Sequence, residues 1–257
     1  MQGSFVDEHG ARLDLARTAR EIWQRGLGAA GDGNLSVRVS PTRIIATPGS
    51  CHKGRLDGRD MVAVDLEGRS RGRGKPSSEL QLHLAAYRQR PEIRAVIHAH
   101  PPMALALNMA GGRVSEVVVS EVIFAFGQVA TAPYTTPTTG DVPDTLAPYL
   151  ACYDAILMER HGSITLGVTL EQAFIRLDAL EHSARIAAFA RLMGGASEIP
   201  PAEVERLYSI SGADAQLPYR RADQSCPPLE PADAEQGRPL EDRLIEAVLA
   251  RLRGGGR

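Results

Sequence analysis

Two histidines separated by one residue, His98 and His100, close the apolar run Ala95-Val96-Ile97 and are followed at once by Pro101-Pro102. Side chains at i and i+2 of an extended strand leave the same face, so both imidazoles can address one ion. Alone, such a pair also fits ordinary polar residues at a strand end. Here Pro76-Ser77-Ser78-Glu79 lies upstream and Arg160-His161-Gly162 downstream. A carboxylate, a close histidine pair and a third, isolated histidine would make a metal site with an open coordination position. An ion held with one position open could act as a Lewis acid on a bound group.

The elements that must position these groups follow from periodicity. Residues 13–27 carry apolar side chains at helical spacing and give way, through Gly26, Gly28 and Gly31, to the loop Gly31-Asp32-Gly33-Asn34. Alternation predicts strands over 35–39 and 43–47, joined by the turn Ser40-Pro41-Thr42, and a third over 61–65. A helix opens at Pro76-Ser77-Ser78-Glu79 and runs to Arg90, before Pro91. A strand over 95–98 leads to a helix from Pro101 or Pro102 to Met109. Residues 114–126 are mostly β-branched and apolar, and Ala132-Pro133-Tyr134 begins an extended segment. A helix over 140–151, a buried strand over 155–158 and a long helix over 170–193 complete the compact part. Beyond Gly194 prolines punctuate a polar stretch with little periodicity, and residues 240–252 form a last amphipathic segment. We read residues 1–210 as one α/β domain and 211–257 as a Pro-rich tail with a short amphipathic helix.

Bulk properties exclude several classes of function. Of the 257 residues, 43% are hydrophobic and 23% charged, the balance of an ordinary globule. A net charge of −2 gives no electrostatic reason for a nucleic acid or membrane-surface partner. No signal peptide or membrane span is readable, so a cytoplasmic location is expected. Cys51, Cys152 and Cys226 are odd in number and far apart, which predicts thiols rather than a disulfide framework. The basic run 69–75 reads as a solvated loop before it reads as a guide for anions.

Taken in order, Gly33-Asn34-Leu35-Ser36, Thr47-Pro48-Gly49, Pro76-Ser77-Ser78-Glu79, His98-Ala99-His100-Pro101 and His161-Gly162 resemble the class II aldolase/adducin family, and its L-fuculose-phosphate aldolase branch most closely. The resemblance implies a three-layer α/β/α fold with a mainly antiparallel central sheet, and a homotetramer. It implies His98, His100 and His161 as ligands of Zn2+ or another divalent metal, and Glu79 as general acid/base. Asn34, Ser77 and Ser78, with backbone near Gly33 and Gly49, would receive a substrate phosphate. The implied activity is a metal-dependent aldolase cleaving a small phosphorylated ketose or related hydroxyketone through a metal-stabilised enediolate.

Each of these residues also has a plain structural reading. Glu79 in a first helical turn favours the helix dipole, Ser77 and Ser78 are natural N-caps, and Asn34 can serve the turn beside Gly33. His83, four residues after Glu79, reads as a structural histidine behind the site. Departures from the family pattern keep other reactions open. The family's aldolases carry a tyrosine before the Ala-Pro-Tyr segment, whereas residues 117–123 hold none and Glu121 stands in a comparable place. Pro48 occupies a threonine position. The epimerase branch has aspartate where Glu79 stands, which disfavours epimerisation. Dehydration and decarboxylation stay open, while the histidines argue against an adducin-like binding module.

Overall fold

Seven strands form one sheet in the computed structural model, which describes residues 5–112, 114, 119–137, 141–195, 197–214 and 225–229. They are β1 (Asn34–Ser40), β2 (Arg43–Ala46), β3 (Val62–Val64), β4 (Ala95–Ala99), β5 (Val129–Ala132), β6 (Ala155–Met158) and β7 (Gly162–Gly167). Their spatial order is β3-β2-β1-β4-β7-β6-β5. All neighbours are antiparallel except β5 and β6. The helices are α1 (Glu8–Gln24), α2 (Leu80–Gln89), α3 (Pro102–Met109), α4 (Glu121–Phe126), α5 (Asp141–Cys152), α6 (Leu170–Leu192) and α7 (Pro201–Asp214). The one parallel pair needs a crossover, and α5 supplies it.

Strand alternation sorts the core into two sides. Ile44, Val96, Ile156 and Ile164 pack with Leu84 and Tyr87 of α2 and Leu146 and Leu150 of α5. Leu35, Val37, Ile45 and Ile97 turn the other way, against Leu15 and Ile22 of α1 and Leu177 of α6. On that second side α3 and α4 cover Val129 and Leu157 through Leu107 and Val122. The result is the three-layer α/β/α arrangement with a mainly antiparallel sheet that the resemblance implied. Both sheet edges are covered by irregular chain, as exposed edges must be. Arg71 N–H donates to the Ala63 carbonyl beside β3, and Thr131 N–H donates to the Leu229 carbonyl beside β5.

Several elements differ from the periodicity reading. Helix α1 starts at Glu8 because the Asp7 carboxylate caps it by accepting from Gly10 N–H. Residues 121–126 of the apolar run are helical, ended by Gly127 in the left-handed region. Strands β5 and β7 and helix α7 are elements that periodicity does not predict. Ser77 and Ser78 do not cap α2; Glu79 holds the N-cap position, with no side-chain cap bond. The predicted segment 240–252 lies outside the described residues.

The cysteine reading is corrected. Cys152 at the end of α5 and Cys226 form a disulfide, while Cys51 stays free. Cys226 is 74 residues away in sequence and reaches α5 because residues 225–229 fold back onto the sheet edge. There Leu229 packs on the core and the Pro227 carbonyl accepts from the Tyr153 hydroxyl at 2.5 Å. Spacing alone cannot reveal such a pairing. Disulfides persist in oxidising surroundings, so the cysteines give no argument for a reducing compartment. Closing so long a loop restricts the unfolded chain, so Cys226→Ser should lower stability by about 2–4 kcal/mol in a non-reducing denaturant melt. An unchanged midpoint would contradict the pinning role of this bond.

Candidate metal centre

His98 is on the central strand β4 and fully buried. It pairs with Asn34 of β1 on one side and Ile164 of β7 on the other. Its Nδ1–H donates to the Ser163 carbonyl at 2.9 Å, which fixes the tautomer and turns a free Nε2 lone pair into the site. His100, just past the strand end, brings its Nε2 to 3.2 Å from that atom. Asp32 touches the outer face of the His100 ring, with Oδ2 at 3.5 Å from Nδ1. His161 arrives from the β6–β7 turn, where its N–H donates to the Met158 carbonyl and Arg160 adopts φ 55°. That left-handed position suits glycine or asparagine, and nothing in the residue type announces it.

One ligand nitrogen from each of the three rings lies within 4.8 Å of the others. The rings are mutually tilted, with centroids 4.9–5.4 Å apart. Two imidazole nitrogens facing at 3.2 Å suit a cation between them, and the His98 anchoring is the usual support of a metal-bound histidine. The donor set therefore fits a divalent ion.

Glu79 closes the arrangement. Its Oε1 is 3.1 Å from His161 Nε2, and its Oε2 is 3.4 Å from His98 Nε2. Asn34 Nδ2–H donates to Oε2 at 3.1 Å. Burial works to raise the Glu79 pKa, but when no metal is bound, hydrogen bonds from His161 and His98 in their protonated form, with the charges they then carry, win and hold it far below the usual carboxylate range. His100 is pushed down to about 4, first by burial and then by the charges of His98 and His161. Behind Glu79 the fully buried His83 bonds through Nδ1 to Ser36 Oγ at 2.7 Å, and Ser36 Oγ bonds to the Tyr87 hydroxyl at 2.8 Å. Burial drives His83 down to about 3, so it stands neutral as a structural partner.

The remaining predicted residues line two loops beside this cluster. Gly33 has φ +70°, and a Cβ there would lie 2.5 Å from the His98 carbonyl oxygen, so only glycine permits this approach. A Cβ on Gly49 would meet the Pro76 carbonyl at 3.0 Å and Ser77 Cα at 3.3 Å. Gly49 N–H is already spent on the Lys75 carbonyl. Ser77 is half-buried and its Oγ accepts from Glu79 N–H, while Ser78 is exposed. Glu121 opens α4 and is exposed, with no ion pair to the imidazoles among the described residues.

Three supporting roles were not visible in the sequence. Gly162 has no room for a side chain, because a Cβ would lie 2.6 Å from His100 Cδ2 and 2.7 Å from His98 Cε1. The buried Glu181 of α6 accepts from Met103 and Ala104 N–H, so it caps α3 and fixes the chain just after His100. Asn34 orients Glu79, a role that its place beside Gly33 in a turn-like loop concealed.

At family level the kinship of this site is unambiguous. Residues 13–188 match the Class II Aldolase and Adducin N-terminal domain. The chain belongs to that family. The 3-oxo-tetronate 4-phosphate decarboxylase of Escherichia coli K12 is 33% identical over 184 residues, covering 70% of this chain and 86% of that protein. The 5-methylthioribulose-1-phosphate/5-deoxyribulose-1-phosphate aldolase of Rhodospirillum rubrum is 32% identical over 223 residues, covering 85% and 98%. Among solved structures, the L-fuculose-1-phosphate aldolase of Thermus thermophilus superposes with a TM-score of 0.63 at 28% identity, covering 75% and 98%. The chain is an enzyme of this superfamily, and its relatives act on sugar phosphates.

The glycine between the rings yields a direct test. Gly162→Ala keeps an ordinary strand residue in β7 but displaces two ligand rings, so metal affinity should fall about 10–100-fold, as it does when ligand support is lost. Calorimetric titration of metal-free protein with Zn2+ measures this, and unchanged affinity would mean that the rings do not converge as described.

Proposed function

We propose that this protein is a divalent-metal-dependent carbon–carbon lyase whose reaction is the decarboxylation of a small phosphorylated 3-oxo sugar acid. A divalent ion, zinc in this reading, held by His98, His100 and His161, would act as a Lewis acid on the substrate carbonyl. Glu79, whose carboxylate faces between the rings, relays a proton from solvent to the carbon that has lost CO2. Asn34 holds Glu79 in place through Oε2, and Oε1 faces His161 Nε2 at 3.1 Å. Ser77 and Ser78, with Asn34 and the close-packed backbone at Gly33 and Gly49, hold the phosphate at the N-terminal side of α2.

The observation that carries this choice is the supply of acid/base groups. Retro-aldol cleavage requires a base to take the proton from the hydroxyl that becomes the aldehyde, besides an acid that protonates the enediolate carbon. Decarboxylation has no such proton to remove, since the bond's electron pair passes to the carbonyl oxygen as CO2 departs. Among the described residues Glu79 alone fills an acid/base position between the imidazoles, and residues 117–123 contain no tyrosine. The similarity to the decarboxylase supports the same reading. Retro-aldol cleavage of a phosphorylated ketose is the second reading, supported by the aldolase of Rhodospirillum rubrum, to which more of the chain aligns. A homotetramer and a cytoplasmic location belong to the proposal as family expectations.

Metal-loaded protein should release CO2 from 3-oxo-tetronate 4-phosphate and no aldehyde from 5-deoxyribulose 1-phosphate. Aldehyde release without CO2 would transfer the assignment to the aldolase reading. Glu79→Gln should lower kcat by about 10²–10⁴-fold while the bound metal stays at the wild-type level; full activity in that variant would remove Glu79 from the mechanism.

A further inference from the structure

Lys53 is only 3% exposed, a rare place for an ammonium group. Its Nζ donates to the Gly31 carbonyl at 3.2 Å and the Cys51 carbonyl at 3.3 Å, and lies 3.5 Å from Cys51 Sγ. Its own N–H donates to the Ala30 carbonyl at 2.7 Å. These partners satisfy hydrogen bonds but cancel no charge. Among the described residues no carboxylate forms an ion pair with Lys53. A buried charge of this kind is costly until an opposite charge comes near.

The location supplies the missing partner. Gly31 stands two residues before Gly33, and Cys51 two residues after Gly49. At most about 7 Å of chain separates each residue whose carbonyl accepts from Lys53 from the glycine of its loop. Lys53 thus bonds to both of the loops that carry Gly33 and Gly49, and brings an ammonium group to where they meet. The serines and asparagine of that subsite are neutral, so they favour a phosphate by hydrogen bonding without offsetting its charge.

We infer that Lys53 is the electrostatic anchor of the phosphate subsite, a positioning residue whose charge makes the enzyme select phosphorylated over unphosphorylated substrates. The inference rests on the proposed assignment of the Gly33, Gly49 and Ser77–Ser78 region to phosphate. Inorganic phosphate is the probe, titrated calorimetrically into the metal-loaded full chain, with glycolate as a control ligand that lacks phosphate.

Lys53→Gln keeps a donor for the two carbonyls but removes the charge, and should weaken phosphate binding about tenfold or more. Glycolate affinity and metal content should stay at wild-type values. Lys53→Arg should restore phosphate affinity to within about threefold, because the charge is kept. Lys53→Met is the second charge-free variant should Lys53→Gln fail to fold. Equal phosphate affinity in the wild type and the charge-free variant would overturn the inference alone. So would parallel loss of phosphate, glycolate and thermal stability, which assigns Lys53 to loop packing. A wild type that binds glycolate but no phosphate would instead overturn the phosphate subsite, and the sugar-phosphate reading with it.

Discussion

His98 can face His100 and His161 because two neighbouring backbones come closer to it than any side chain would allow. On one flank Gly33 passes the His98 carbonyl at a distance that no Cβ could tolerate, and on the other Gly162 lies directly under the His98 and His100 rings. The antiparallel pairing of β4 with β1 and β7 sets both approaches at once. Through that pairing Ser163 supplies the carbonyl that orients His98, and Asn34 lands opposite His98 with its amide directed at Glu79. The register of three strands therefore decides how the imidazoles converge. A slip of one residue would turn His98 into the α1/α6 layer and bury an unpaired imidazole.

The rest of the molecule keeps that register rigid. Asp154, at the start of β6, accepts from Arg90 at 2.6 Å and from Arg176 at 2.9 Å, all three deeply buried. Arg176 also donates to the Ala125 and Leu166 carbonyls, so α4, β7 and α6 are joined at one point. Removing one partner from such a group leaves a buried charge uncompensated and typically costs about 3–5 kcal/mol, far more than a surface ion pair returns. At the other end of β6, Glu159 N–H bonds to the Ala132 carbonyl, so β5 supports the turn that carries His161. The chain from Cys226 to Leu229 in turn covers β5. The disulfide, although remote from the imidazoles in sequence, thus acts on the strand that braces one of them.

Much of this was legible in the sequence, for a physical reason. Metal chemistry demands particular side chains, and the pair His98 and His100, the isolated His161 and the Pro-Ser-Ser-Glu string could be read from residue type and strand alternation. Strands β1, β2, β4 and β6 carry enough apolar periodicity to be recognised, as does the long helix α6. Strand β7 escaped because Gly162-Ser163-Ile164-Thr165-Leu166-Gly167 begins and ends in glycine, usually a turn signal, whereas here glycine answers a need for space. Helix α4 lay hidden in β-branched residues whose burial overrides local propensity. The disulfide could not be read at all, since its two cysteines meet only through the folding back of a proline-rich segment. Nothing in the sequence singles out Lys53, whose ammonium group is set apart only by its burial between the two loops.

X-ray diffraction at the metal absorption edge, on crystals of the protein as purified, tests the metal centre most directly. One anomalous peak per chain is predicted, within bonding distance of His98, His100 and His161. Zinc-saturated crystals in which those three imidazoles share no peak, or in which the metal sits on other residues, would contradict it.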